Sequence, residues 1–215
     1  PEHRAKVWWG AIDTIAELHR VDWQQLDVAF LERPELGERG LPQILAYDEH
    51  FLETVERTEP LPIARRALAW LQANQPTGLP LVLTWGDARI GNVLYDDAGE
   101  RVAVLDWEMV TLAPPALDVA WAMFVDRHHC EGCGVPRLAG FPSAEETVAR
   151  YEERSGIPLT DLDYFEVFAA FRFTVIMARI YSILKEWGLV EADSPMVQDN
   201  NVSRMTERLL DERGI

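Results

Sequence analysis

Lysine and cysteine are scarce in this chain of 215 residues. Lysine occurs only at Lys6 and Lys185 among 20 basic residues, and the excess of acidic residues gives a formal net charge of −16. Such an acidic chain argues against nucleic acid as a partner, because phosphate backbones bind lysine and arginine. Cysteine occurs only at Cys130 and Cys133, which excludes a disulfide framework.

Long apolar runs and a secretory leader are also missing. No uninterrupted apolar run approaches the roughly 20 residues that span a bilayer, and the N-terminal sequence PEHRAKVWW does not have the pattern of a signal peptide. We therefore expect a cytoplasmic protein with no membrane partner. The hydrophobic fraction of 48% is enough for one substantial core or two small ones.

Three short apolar runs lie in the stretch from residue 81 to residue 108, and each lies beside a polar residue. They are 81–83, 93–95 and 102–105. Aliphatic and β-branched runs bounded by turn residues predict strands. Residues 97–99, Asp-Ala-Gly, favour a tight hairpin between the second and third runs. The polar residues of this stretch are therefore expected to cluster at strand ends.

The polar residues in this stretch have the spacing of a phosphoryl-transfer site. Asp87 and Asn92 enclose four residues, which is the D-x-x-x-x-N arrangement of a kinase catalytic loop, and Asp106 follows after one further hairpin. In that arrangement the first Asp orients the attacking hydroxyl, while the Asn and the second Asp hold Mg²⁺. Oxygen ligands without Cys or His suit Mg²⁺. A single Asp or Asn often only begins or ends a turn. The interpretation as a phosphoryl-transfer site therefore depends on the occurrence of Asp87, Asn92 and Asp106 together, in this order and spacing.

The same residues resemble a known family. WGDARIGN followed by VLDWE resembles the HGDxxxxN and DWE motifs of the aminoglycoside phosphotransferase and choline kinase-like family, which has a protein-kinase-like fold. The resemblance is strongest to the branch related to the phosphotransferase-like domain fused to acyl-CoA dehydrogenases. It continues through residues 114–121, PPALDVAW, which are similar to the P-x-x-D-x-A-W of that branch, and through residues 138–143, LAGFPS.

The resemblance implies a role for each of these side chains. Asp87 would be the catalytic base, Asn92 and Asp106 would bind Mg²⁺, and Asp118 would support the catalytic loop. Arg89 is assigned either to a nucleotide phosphate or to a carboxylate partner. Glu108 is a further candidate for contact with the metal or with water.

The chain departs from the family pattern at one position and lacks another part of the machinery. Trp85 occupies the place where the family usually has His. This replacement is expected to change how the loop packs. A kinase-like enzyme also needs a strand lysine and a glycine-rich loop over the phosphates. No G-x-G-x-x-G occurs, and Lys6 and Lys185 both lie in predicted helices. We therefore expect residues 1–215 to be the C-terminal lobe, with the N-terminal nucleotide lobe absent from this chain.

Helical periodicity dominates the rest of the sequence. Apolar residues at helical spacing, with capping signals, predict helices at about 4–20, 44–55, 64–71, 117–124, 143–156, 160–187 and 200–209. Residues 34–42 are interpreted as a surface loop, and the aromatic residues of the second and third helices as core. His19 is interpreted as a helix-end residue that interacts with the helix dipole and backbone.

Two further groups of polar residues each allow two interpretations. His129-Cys130-x-x-Cys133 offers zinc ligands, but the usual second pair is missing, so we favour a mobile loop near the substrate. Arg172 and Arg179 are seven residues apart and share a helix face. They are expected to pair with carboxylates, the alternative being an anionic group of the substrate.

The predicted fold class is α+β, mostly α: the C-terminal lobe of a protein-kinase-like fold, with helices around a small catalytic β-hairpin region. The predicted function is that of a small-molecule phosphotransferase, which moves the γ-phosphoryl of ATP or GTP to a small hydroxylated substrate with Mg²⁺. A non-catalytic binding or scaffolding protein is one alternative, and a metal-dependent hydrolase is another. The acceptor, the choice of nucleotide and the oligomeric state stay open.

Overall fold

The computed structural model describes residues 2–215, and within that range seven α-helices surround two short β-ladders. The helices begin and end close to the predicted positions. They are α1 (Glu2–His19), α2 (Leu41–Glu56), α3 (Pro62–Ala73), α4 (Ala116–Arg127), α5 (Ala144–Ser155), α6 (Leu162–Glu186) and α7 (Asn201–Glu212). Lys6 and Lys185 both lie in helices, as predicted.

The strands form two separate antiparallel pairs. They are β1 (Val82–Thr84), β2 (Val93–Tyr95), β3 (Arg101–Val104) and β4 (Thr111–Ala113). β2 and β3 form the predicted hairpin, with Val93 opposite Val104, and Gly99 in their turn has a φ of +75°. β1 pairs instead with β4, with Thr84 opposite Thr111. β4 was not predicted, and its pairing brings the end of β1 close to the segment that follows Asp106.

α6 is the central helix of the core. It packs against α2, α3, α4 and α7, and its residues Phe165, Phe168 and Phe171 are almost fully buried. Among residues 2–215, α6 is the one helix with the length and mean hydropathy of a membrane span, although charged residues such as Glu166, Arg172 and Arg179 interrupt its apolar runs. However, 56% of its most apolar window is buried inside the protein, as expected for the core helix of a folded lobe.

The N-terminal helix packs against the first two strands. α1 lies along α5 and also contacts β1, β2 and α4. Its buried face includes Trp8, Ile12 and Ile15. Ser143 begins α5 with the predicted capping box, and Gly156 ends it with a φ of +72°. α1 therefore lies beside β1 and β2, and α5 packs along α1.

Two predicted loops contain more regular structure than expected. In the segment 34–42, a 3₁₀ turn covers Pro34–Leu36, and α2 already begins at Leu41. After α4, residues His128–Gly132 form a π-helical turn that continues the helix. A single π turn extends a helix without the 3.6-residue period on which the prediction relied.

The N-terminal end of α7 provides a test of helix capping. The Asn200 side chain accepts hydrogen bonds from the backbone N–H groups of Val202 and Ser203, at 2.9 and 3.2 Å. We expect Asn200→Ala to lower the free energy of unfolding by about 1–2 kcal/mol, because two buried donors lose their acceptor. Asn201→Ala, at the neighbouring exposed position, is the control and should change it by less than about 0.5 kcal/mol. Equal effects in urea unfolding would contradict this account of the cap.

Candidate active site

The loop after β1 is shaped by a glycine. Gly86 has a φ of +90°, which is unfavourable for residues with a Cβ atom. A Cβ built on Gly86 would lie 2.1 Å from the carbonyl oxygen of Met109. The backbone of the loop therefore lies directly against the segment that follows Asp106, and only glycine permits this approach.

Asp118 binds the backbone of the same loop. It is fully buried in the first turn of α4, and its Oδ2 and Oδ1 accept hydrogen bonds from the backbone N–H groups of Trp85 (2.6 Å) and Gly86 (2.8 Å). A carboxylate that accepts backbone N–H groups is a strong, charge-assisted acceptor. The contact supplies the means by which Asp118 could support the catalytic loop.

His19 completes the surroundings of Asp118. Its Nε2 lies 3.1 Å from Asp118 Oδ2, and its Nδ1 lies 2.7 Å from the hydroxyl of Tyr151. Because the carboxylate only accepts, His19 Nε2 carries a hydrogen, and in the neutral ring Nδ1 then accepts from Tyr151. Burial raises the pKa of the Tyr151 hydroxyl well above its usual range, which keeps this donor protonated. His19 ends α1, as predicted, but its ring nitrogens contact two distant side chains and not the neighbouring backbone.

Trp85, the departure from the family pattern, is fully buried. Its indole N–H donates to the carbonyl oxygen of Leu105 at 2.9 Å, and its ring centroid lies 6.0 Å from that of Trp107. The indole therefore joins the catalytic loop to the residue immediately before Asp106. Tryptophan fits this position with its polar atom satisfied, so the loop is well packed.

Asp87 faces a cavity and is held by three donors. Its Oδ2 accepts from the Asn92 amide nitrogen at 2.6 Å and from Arg89 Nε at 2.9 Å. Its Oδ1 accepts from the indole nitrogen of Trp121 at 2.9 Å. In this structure Arg89 therefore pairs with a carboxylate, which is one of the two roles expected for it. Trp121 was not predicted as a site residue.

The orientation of Asn92 leaves its amide oxygen for a ligand. Only the amide nitrogen can lie 2.6 Å from a carboxylate oxygen of Asp87, because two oxygen atoms would repel each other. The same nitrogen donates to the Asp87 backbone carbonyl at 3.0 Å. The Asn92 backbone carbonyl accepts from the N–H of Leu105 at 2.8 Å, which brings Asp106 close to Asn92.

Asp106 is exposed and has an unusual backbone conformation. Its φ is +65°, in the left-handed region, and its side chain lines the same cavity as Asp87. Non-glycine residues in this region cost about 1–3 kcal/mol and concentrate at functional sites. Glu108 is also exposed and lines the cavity. The structure thus places Asp87 and Asp106 in the wall of one cavity, whereas Asn92 is buried and hydrogen bonded to Asp87.

The donor set fits Mg²⁺ better than it fits zinc. It consists of one amide oxygen and a few carboxylates, and Mg²⁺ sites typically use one or two carboxylates and keep several waters. Within residues 2–215 no group of three or more His, Cys, Asp and Glu side chains could hold a metal ion. This finding applies both to the segment 128–133 and to the carboxylates beside Asp87. Its Cys130 thiol lies 3.2 Å from the carbonyl oxygen of Asp126.

The cavity beside Asp87 has a volume of about 710 Å³ and walls that are largely apolar and aromatic. Tyr47 and Phe51, expected to be core, line it from α2. Arg172 and Arg179 line it from α6. Arg172 forms a buried ion pair with Asp48 at 2.9 Å, which confirms pairing with a carboxylate, whereas Arg179 lies 3.6 Å from Glu186. The aromatic walls were missed because the residues come from α2, α4 and α6, which are distant in sequence.

The fold is that of kinase-like phosphotransferases. The chain is similar to the crystal structure of a proposed aminoglycoside phosphotransferase from Ralstonia eutropha, with a TM-score of 0.75 and 22% identity over 98% of this chain and 66% of the other. It is also similar to a macrolide 2'-phosphotransferase from Brachybacterium faecium, with a TM-score of 0.56 and 22% identity over 86% of this chain and 58% of that one.

The sequence relationship is more specific. A profile described as the Phosphotransferase enzyme family matches residues 1–156, and the chain belongs to this family. It is 26% identical to mouse acyl-CoA dehydrogenase family member 10 over 84% of this chain, and 26% identical to human acyl-CoA dehydrogenase family member 11 over 85%. The matched regions make up 17% and 24% of those two proteins. The chain therefore spans about a quarter or less of the curated relatives.

The close approach at Gly86 can be tested by substitution. We expect Gly86→Ala to lower the free energy of unfolding by about 2–5 kcal/mol, because a left-handed backbone and a backbone clash both oppose the new methyl group. Gly134→Ala is the control, since Gly134 has a φ of +69° with no atom within 4 Å of the added Cβ. It should cost about 1–2 kcal/mol. If both variants lose the same stability in urea unfolding, the contact with Met109 does not constrain the loop.

Proposed function

We propose that the protein containing this chain transfers the γ-phosphoryl group of ATP or GTP to a hydroxyl group of a small acceptor. The observation that carries this proposal is the position of Asp87 and Asp106 in the wall of one cavity large enough for a small molecule, with Asn92 hydrogen bonded to Asp87. Membership of a phosphotransferase family and the fold support it. The small-molecule acceptor, the nucleotide and the metal are part of the proposal.

Asp87 is the residue that meets the acceptor. Its carboxylate opens into the cavity and is fixed by donors on both oxygens. It accepts a hydrogen bond from the acceptor hydroxyl and turns the oxygen lone pair towards the phosphorus atom. Phosphoryl transfer needs little covalent chemistry from the protein, so this alignment accounts for a large part of the rate.

Asn92 and Asp106 are the residues that would hold Mg²⁺. The amide oxygen of Asn92 is turned away from the Asp87 carboxylate, and Asp106 presents its carboxylate from a strained backbone. When bound, Mg²⁺ neutralises charge on the phosphate oxygens. Arg89 keeps its Nε on Asp87 and has its terminal nitrogens for a phosphate oxygen, which would combine its two expected roles.

The acceptor enters along the apolar wall formed by α2 and α6. Tyr47, Phe51 and Phe173 give this part of the cavity an aromatic lining. Aromatic walls with a few polar groups favour a ligand with substantial apolar surface. The net charge of −16 does not select among acceptor classes, so the acceptor is to be identified by a screen.

The non-catalytic alternative loses its main support from the structure. It rested on a loop disturbed by Trp85, yet Trp85 is buried and its indole is hydrogen bonded. Turnover separates the two functions, whereas nucleotide binding alone does not. The hydrolase alternative predicts release of inorganic phosphate without any acceptor.

The proposal is tested with the intact natural protein, which includes any nucleotide-binding region outside these residues. ATP and GTP consumption with Mg²⁺ is measured against aminoglycosides, cholines, sugars, amino alcohols and hydroxy acids. We expect turnover to depend on an acceptor and kcat to fall by about 10²- to 10⁴-fold in Asp87→Ala, because the hydroxyl loses its alignment. Asp97→Ala, in the exposed turn between β2 and β3, is the matched control and should behave as wild type.

Three results would contradict the proposal. Full activity of Asp87→Ala would show that Asp87 has no catalytic role. Phosphate release at the same rate with and without acceptors would favour the hydrolase. Binding of Mg-ATP without turnover, combined with activity gained by Trp85→His, would establish that the natural protein is a non-catalytic binding or scaffolding protein.

A further inference from the structure

Within residues 2–215, Trp121 is the one cavity residue whose polar atom contacts Asp87 from an α-helix. It lies in α4, three residues after Asp118, and only 3% of its surface is exposed. Its indole nitrogen donates to Asp87 Oδ1 at 2.9 Å. Its ring packs edge-on against Phe173 of α6, with centroids 5.5 Å apart and planes at 60°. Packing therefore fixes the direction in which the N–H points.

The contact has a specific consequence for the Asp87 carboxylate. Rotation of a carboxyl group about its last torsion is soft, so donors on one oxygen alone leave the other oxygen less well defined. Oδ2 accepts from Asn92 and from Arg89, which uses its two in-plane lone pairs. Oδ1 accepts from Trp121 alone. One lone pair of Oδ1 therefore remains for an acceptor hydroxyl, and Trp121 determines where it points.

α4 thus contacts both the backbone and a side chain of the catalytic loop. Asp118 accepts from the loop backbone at Trp85 and Gly86, and Trp121 donates to the loop side chain at Asp87. Residues three apart lie on the same helix face, so one helix face fixes both the path of the loop and the orientation of its carboxylate. Asn92 and Arg89 belong to the loop itself, whereas Trp121 donates to the carboxylate from a separate helix.

We propose that Trp121 is a positioning residue, which orients Asp87 so that Oδ1 receives the acceptor hydroxyl. The inference rests on the proposed phosphotransferase function for its kinetic consequence, but the Trp121–Asp87 contact can be observed without turnover. We infer that Trp121 affects the rate of phosphoryl transfer but not the binding of the nucleotide.

The contact is tested by NMR of the intact protein labelled with ¹⁵N-tryptophan. The Trp121 indole resonance is identified by its loss in Trp121→Phe. We expect it to move upfield in Asp87→Ala, because the indole N–H loses a charged acceptor. The Trp23 indole, which donates to the Leu81 carbonyl at 3.0 Å, serves as the internal control and should keep its position. An unmoved Trp121 resonance would overturn the proposal.

The positioning role is tested by comparing Trp121→Phe with Trp23→Phe. Both substitutions remove one indole N–H and keep an aromatic ring, but only the first removes a donor to Asp87. We expect Trp121→Phe to lower kcat by about 10- to 100-fold, the effect of one hydrogen bond to a charged group. The KM for nucleotide should change by less than about twofold, because the nucleotide makes no use of this contact. Trp23→Phe should match wild type.

The outcomes of the two experiments separate this inference from the proposed function. If wild type has no turnover with any acceptor, the proposed function fails, and the NMR shift still decides whether Trp121 holds Asp87. If wild type is active and Trp121→Phe keeps its kcat, the positioning role is wrong although the function stands. A rise in nucleotide KM with an unchanged kcat would also contradict it, because that result marks a binding role.

Discussion

The buried carboxylate of Asp118 is the contact on which the arrangement of the site depends. It accepts from two consecutive backbone N–H groups of the catalytic loop and from His19. A carboxylate buried without such partners would be strongly destabilising, whereas three donors compensate its loss of water. The network joins α4, α1 and, through the Tyr151 hydroxyl, α5. The loop therefore takes its path from three helices that meet behind it.

The remaining contacts connect this path to Asp87 and Asn92. Gly86 allows the loop to lie against Met109, and Trp85 bonds to Leu105, so the loop and the segment around Asp106 are fixed relative to each other. Asp87 and Asn92 are then adjacent, with the amide nitrogen of Asn92 on the carboxylate. Rigid positioning of this kind is the main contribution that a protein can make to phosphoryl transfer.

Features that depend on residues close together in the sequence could be predicted from the sequence alone. Helical periodicity predicted the helices, β-branched runs predicted β1 to β3, and Ser143 with Glu146 identified the start of α5. The D-x-x-x-x-N spacing located the loop because its members lie within six residues. The expected N-terminal nucleotide lobe lies outside these residues and stays a prediction, as do the catalytic roles of Asp87, Asn92 and Asp106.

Contacts between residues far apart in sequence were not predictable from local patterns. His19 and Tyr151 are separated by 132 residues, and no periodicity indicates that they meet beside Asp118. The bond from Trp121 to Asp87 crosses 34 residues, and an apolar helix face gives no sign that one of its rings donates to a loop. β4 was missed because its partner is β1, across the whole hairpin formed by β2 and β3.

The central claim is that the amide of Asn92 and the carboxylate of Asp106 form one metal site beside Asp87. The most direct test is a crystal structure of the intact protein with Mn²⁺, in place of Mg²⁺, and a non-hydrolysable ATP analogue, with the metal located by its anomalous scattering. The account predicts metal within about 2.0–2.3 Å of oxygen atoms of both residues, with the terminal phosphate near Asp87. Metal and nucleotide bound elsewhere on the protein, with Asn92 and Asp106 uncoordinated, would contradict it.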